Sequence, residues 1–158
     1  MSLMTTTVGR AALFLTFLAG SASAQTTPST AEAEVLAVVK RVFDGMHEAD
    51  SAKVRTAFAP GARFASVGTR ANPDTIVYQA VDGWLAGIAQ SNRSWEERVT
   101  NVRVQVDANM ASAWMDYTFL LNGAVRHCGV DSIELSKVRG EWKITQLSDT
   151  RRTTGCAP

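Results

Sequence analysis

His127-Cys128-Gly129-Val130-Asp131 is the densest group of ionisable and nucleophile-type side chains in an otherwise apolar, strand-like region. In a strand, alternate residues share a face, so His127, Gly129 and Asp131 point together, and that face continues into Ile133 and Leu135. If it is the concave face of a sheet, Asp131 sits in an apolar cavity beside Tyr117. Desolvation there raises a carboxyl pKa toward a range useful for acid-base work. The competing reading has Asp131 accepting hydrogen bonds from backbone or Tyr117, with His127 exposed near the end of the sheet. Asp131 and His127 are the catalytic candidates, and Tyr117, Asp131, Trp84, Met115 and His127 the candidate ligand contacts.

Other chemistries find less support. His47 and His127 lie on separate elements without ligand spacing, so no metal site is expected. His47 falls near the end of the first helix, where its charge would favour the helix dipole. There is no Ser/His/Asp motif and no Gly-rich phosphate loop, and no cofactor is indicated. Arg151-Arg152 read as a solvated pair, with an anion grip at a cavity mouth as the alternative. Trp84, Trp114 and Tyr78 read as core aromatics or as cavity walls.

The elements that position this cluster follow from periodicity. Ser29 and Glu32 form a capping-box pattern, and Val35, Val38, Val39, Val42, Phe43 and Met46 then repeat with helical spacing. A short second helix is expected over 51–57, ending before Pro60. Residues 62–68 alternate as a strand, Gly68 to Asp74 has loop chemistry, and 79–89 carry Val81, Trp84, Leu85 and Ile88 at helical spacing. Gly83 and Gly87 weaken that helix, for packing or for close approach of a ligand. From Trp95 onward the period is two, with turns at Asp107-Ala108-Asn109, Asn122-Gly123 and Arg139-Gly140. The last hairpin puts Cys128 opposite the neighbourhood of Arg151, so a bridge to Cys156 is sterically reasonable. Two unpaired thiols are the alternative.

The N-terminus places Arg10 before an apolar run from Ala11 to Ala19, followed by Ala22-Ser23-Ala24. That order predicts a signal peptide over 1–24, cleaved after Ala24, because a spanning helix needs roughly 20 apolar residues. A flexible lead-in over 25–31, a domain over 32–152 and a tail over 153–158 follow. Of 16 Lys and Arg, Arg10 alone precedes residue 25, leaving 15 against 15 acidic residues. A neutral chain without a basic run offers no footprint for nucleic acid or an anionic membrane. A periplasmic or secreted location would permit the Cys128–Cys156 disulfide, worth about 3–4 kcal/mol by chain entropy.

Helix, helix, strand, helix and then a curved antiparallel meander resembles the nuclear transport factor 2-like superfamily, an α+β cone. The match is most specific in Asp50 to Phe58 with Ala59-Pro60-Gly61-Ala62-Arg63-Phe64, and in Gly140-Glu141-Trp142-Lys143-Ile144. The His127–Asp131 cluster, Asp149-Thr150-Arg151-Arg152 and Gly155-Cys156 resemble an exported SnoaL-like branch, often labelled lumazine-binding or polyketide-cyclase-like. The resemblance implies N-terminal helices packed on a curved antiparallel sheet, and a homodimer through the outer sheet face. Carrying over the ketosteroid-isomerase positions gives Val42 for the tyrosine donor and Ser66 for the aspartate base, which disfavours that chemistry. The reading is therefore an exported binder of a small, mostly apolar molecule. The alternatives are a dehydratase- or cyclase-like enzyme using Asp131 with His127 or Tyr117, and an interaction module with a filled cone.

Overall fold

The computed structural model describes residues 29–68, 72, 74–90 and 92–157; the expected signal peptide lies outside them. Helix α1 spans Thr30–His47, and Ser29 and Glu32 close the reciprocal capping box at its start. Its stripe of Val35, Val38, Val39, Val42 and Met46 is buried, so the last two lead-in residues belong to the helix. Helix α2, Ser51–Arg55, is capped by the Asp50 carboxylate on the Lys53 amide at 2.8 Å.

Strand β1 runs Phe58–Val67 and β2 runs Ile76–Ala80, followed directly by α3, Val81–Ala89. The long strands β3 (Trp95–Asp107), β4 (Met110–Leu121), β5 (Ala124–Val138) and β6 (Glu141–Thr150) complete a six-stranded sheet in the order β2-β1-β6-β5-β4-β3. It is curved and unclosed, with the helices on its concave side, so the α+β cone holds. One detail differs from the expected antiparallel sheet: β1 returns beside β6 in parallel, while all other neighbours are antiparallel. Strand β1 also starts before Pro60 rather than after it. The proline and Gly61 fall inside a register shift between Phe58 and Arg63, where a missing amide donor breaks no ladder. Strand β2 was hidden because all five of its residues are exposed, which leaves no alternation to read.

The core is α1 and α3 against the inner sheet face: Ala113 and Met115 on β4, Ile133 and Leu135 on β5, and Ile144 and Leu147 on β6 are all buried. Trp142 packs there too, and its indole N–H donates to Glu34 on α1 at 3.1 Å, tying the helix to the start of β6. Trp114 and Tyr78 are exposed, 50% and 72%, so neither is core or cavity wall.

The C-terminal end folds back on β5. Cys128 and Arg152 exchange backbone hydrogen bonds at 2.9 Å, and Cys128 and Cys156 are bridged with Cα atoms 5.5 Å apart. At Gly129 the Thr150 carbonyl occupies the space of a side chain: an added Cβ would lie 1.8 Å from its oxygen. That carbonyl accepts from the Tyr117 hydroxyl at 2.9 Å, which leaves it little room to yield. Gly129→Ala should therefore lower stability by about 2–3 kcal/mol in urea titration; a variant within 0.5 kcal/mol of wild type, on the order of ordinary surface substitutions, would contradict this packing.

Candidate functional site

Between α1, α3 and the concave sheet lies a cavity of about 530 Å³, within the size range of small-molecule sites. Its walls are Val42, Phe43 and Met46 from α1, Phe64 from β1, Trp84 and Gly87 from α3, Trp95 from β3, and Phe119 from β4. The rings support one another: Trp84 meets Phe58 and Phe64 at 5.9 and 5.3 Å, and Trp95 meets Phe119 edge-on at 5.8 Å. Gly87 faces the cavity, where an added Cβ would come within 3.6 Å of Trp95, whereas one at Gly83 would meet nothing within 4 Å. Close packing is therefore not what Gly83 serves.

The rest of the lining includes a group of ionisable side chains, most of them from the long strands. Glu97 on β3, His127 and Asp131 on β5, Asp149 on β6 and Arg151 just past its end all line the cavity. Asp131 is 3% exposed and stands opposite Asp149, itself 5% exposed, in the β5–β6 ladder. No hydrogen-bond partner holds the Asp131 carboxyl among the described residues. Asp149 Oδ2 accepts from Arg151 Nε at 2.5 Å and lies 3.3 Å from the Tyr117 hydroxyl. Its Oδ1 is buried with no hydrogen-bond partner among the described residues.

This environment opposes charge. Burial, then repulsion from Glu97 and Asp149, raises the Asp131 pKa well above the ordinary carboxylate value. Glu97 is pushed up to about 8, by loss of solvent first and by Asp149 second, while Arg151 pulls it down. By accessible surface Glu97 is only half-buried, because it faces the cavity; the protein around that cavity still strips bulk water from its carboxyl. His127, stacked on Phe119 at 4.9 Å with Tyr117 edge-on at 5.7 Å, is lowered to about 4 by burial and then by Arg151. At neutral pH it is an uncharged imidazole. Burial works against charge on Arg151 too, but the charge and hydrogen bond of Asp149 outweigh it and keep the guanidinium protonated.

Of the sequence candidates, Asp131, His127 and Trp84 meet around the cavity. Met115, fully buried and opposite Asp131 in the β4–β5 ladder, is core beneath it rather than lining. Tyr117 also stays behind the lining, its hydroxyl directed to Thr150 and Asp149 and not to Asp131. His127 and Asp131 do not form a direct pair: four residues along one strand separate them by about 13 Å at roughly 3.3 Å per residue. Arg151 and Arg152 part company, Arg151 entering the site and Arg152 pairing by backbone with Cys128. Glu97 and Asp149 were not among the sequence-based site candidates; Glu97 beside Glu96 at the start of β3 and Asp149 near the end of β6 give no local signal of a shared site until the cone brings them together. Among the described residues, no group of three or more His, Cys, Asp or Glu side chains is arranged to hold a metal ion.

The family model described as "Putative lumazine-binding" matches residues 30–147. The chain belongs to that family. It is a nuclear transport factor 2-like fold, as the order of elements implied. An NTF2-like protein of unknown function from Shewanella baltica superposes with TM-score 0.64 at 19% identity, over 82% of this chain and 100% of that one. A "putative dehydratase" of the NTF2-like family from Streptomyces avermitilis gives 0.64 at 13%, over 81% and 100%. A "putative aromatic ring hydroxylase" from Novosphingobium aromaticivorans gives 0.62 at 13%, over 77% and 88%. At these identities the likeness is one of fold. No curated protein matches the chain in sequence.

The shifted groups set the pH dependence of stability. Glu97, at about 8 against an ordinary 4.5, contributes stability that is intact below 4.5 and lost as pH rises through about 8. His127, at about 4 against 6.5, contributes stability present above 6.5 and lost as pH falls toward 4. From pH 6.5 to 8 the carboxyls dominate, so the melting temperature should fall across that window, and Glu97→Gln should flatten the fall. A wild-type melting temperature that is level or rising there would refute the assignment.

Proposed function

We propose that this chain is an exported small-molecule-binding protein that takes a largely apolar ligand into its cone. The observation that carries this reading is the 530 Å³ cavity, walled by aromatic and aliphatic side chains around a few convergent polar groups. A filled cone would have supported an interaction module instead. Export is supported by the Cys128–Cys156 disulfide, which belongs to an oxidising compartment. No helix among the described residues is long and apolar enough to cross a membrane. The half-exposed Trp114 on the outer sheet face fits the homodimer expected of this fold.

A second reading, proton transfer of the dehydratase or cyclase kind, is favoured by one feature. Asp131 faces the cavity with a raised pKa and no hydrogen-bond partner among the described residues, so it can carry a proton to a substrate at neutral pH. In that reading His127 acts at the far end of the substrate, as a neutral acceptor, and Tyr117 only positions Asp149 and Thr150. A rate profile governed by one carboxyl and abolished in Asp131→Asn separates catalysis from binding.

Binding itself is tested with 1-aminoanthracene, a neutral fluorescent probe of apolar pockets. Wild type should bind it at one site, quenching Trp84 and Trp95, and Gly87→Phe, which fills the cavity, should weaken it at least about ten-fold. Equal affinity in the two proteins would remove the cavity as the site.

A further inference from the structure

Three carboxylates share the cavity. Glu97, Asp131 and Asp149 approach it from three strands, and Arg151 is the cation whose charge acts on Glu97 and Asp131. Arg151 keeps 38% of its side-chain surface exposed and is engaged by Asp149 through Nε. Arg93 also lines the cavity, from the loop between α3 and β3. Two features show that the acidic set is unfinished. Asp149 Oδ1 is buried with no hydrogen-bond partner, and Asp131, 3% exposed, faces the cavity with no partner among the described residues.

A buried acceptor without a donor costs roughly 1–3 kcal/mol, and uncompensated buried carboxylates cost more. Water or a bound proton relieves this in the empty cone. A ligand relieves it more fully if it brings N–H donors and positive charge together. The surrounding rings suit the same ligand, because Trp84, Trp95 and Phe64 present faces and edges to an aromatic body and add cation–π attraction. A metal ion suits the site less well, since among the described residues no group of side chains is arranged to hold one.

Resting on the small-molecule reading above, we infer that the ligand is an organic amine cation with an aromatic or apolar body. Its ammonium group donates to Asp131 and to the orphaned Oδ1 of Asp149, with Glu97 alongside. Its body lies against Trp84 and Trp95. Binding is then coupled to protons: the carboxyls that hold protons in the empty cone release them to solvent as the cation enters. The groups facing this event are Arg93 on the loop before β3, Glu97 on β3, Tyr117 on β4, His127 and Asp131 on β5, Asp149 on β6 and Arg151 just past its end. His127 is neutral throughout, and Arg151 stays charged, so the carboxyls supply the proton.

The test is calorimetric titration of the full exported protein with three indoles of one shape: tryptamine, a cation at neutral pH; tryptophol, its neutral counterpart; and indole-3-acetate, an anion. At pH 8 tryptamine should bind at least about ten-fold more tightly than tryptophol, as a charge-assisted contact requires. Its advantage should shrink toward pH 6 as the carboxyls take up protons. Buffers of different ionisation enthalpy should report proton release with tryptamine and none with tryptophol. Asp131→Asn should bring the two affinities together, and the wild-type proton count decides the matter if that variant folds poorly. Equal affinities, a preference for indole-3-acetate, or no proton release would overturn the inference. If no indole binds while 1-aminoanthracene does, the amine assignment falls and the small-molecule reading stands; if neither binds, both fall.

Discussion

Two carboxylates face one another across the β5–β6 ladder, Asp131 opposite Asp149, on the inside of a cone walled by aromatic rings. Cross-strand neighbours with like charges repel, and removal from water makes the repulsion harder to screen. The rest of the site answers this constraint. Arg151 returns from the end of β6 to neutralise Asp149, Tyr117 leans on the same carboxylate, and Asp131 is left to hold a proton. Glu97 adds a third acid from the other side of the cavity, which makes the neutral form of Asp131 still more favourable.

The geometry that brings these groups together depends on how β6 ends. The Thr150 carbonyl settles over Gly129, held by the Tyr117 hydroxyl, while the Thr150 hydroxyl accepts from the Val130 amide at 3.0 Å. Two residues on, Arg152 pairs with Cys128, and the disulfide to Cys156 secures the tail. Arg151 is therefore held between two fixed points, and its side chain is delivered to Asp149 by backbone contacts. A glycine, a tyrosine and a disulfide thus act together as positioning devices for one guanidinium.

The aromatic walls and the acidic floor impose different demands on a ligand. The walls reward area and shape, and the floor rewards hydrogen-bond donors and positive charge. An apolar ligand without a polar end would leave the already buried Asp149 Oδ1 unpartnered and seal off the Asp131 carboxyl without compensating it, which costs affinity. His127 is neutral for a related reason: stacked on Phe119, partly removed from solvent and near Arg151, it has little to gain from a second proton.

Much of this architecture was legible in the chain. The capping box at Ser29 and Glu32, the valine stripe of α1, the long alternating strands and the Asn122-Gly123 turn each state a local preference that the fold keeps. Alternation also placed Asp131 on the same face as Ile133 and Leu135, and those residues are buried together. The return of β1 beside β6, in parallel, was not legible, because a pairing between segments some eighty residues apart leaves no local period. Nor were Glu97 on β3 and the Asp149–Arg151 pair at the end of β6 as members of one site, since each reads locally as an ordinary charged residue. The sequence by itself determined the helices, the long strands and which face of β5 turns inward, because those follow from side-chain periodicity, whereas the wholly exposed β2 carries none. Tertiary structure decided which acids share a cavity and which of them are driven toward the protonated form, because desolvation and repulsion act between groups that only the folded cone brings near.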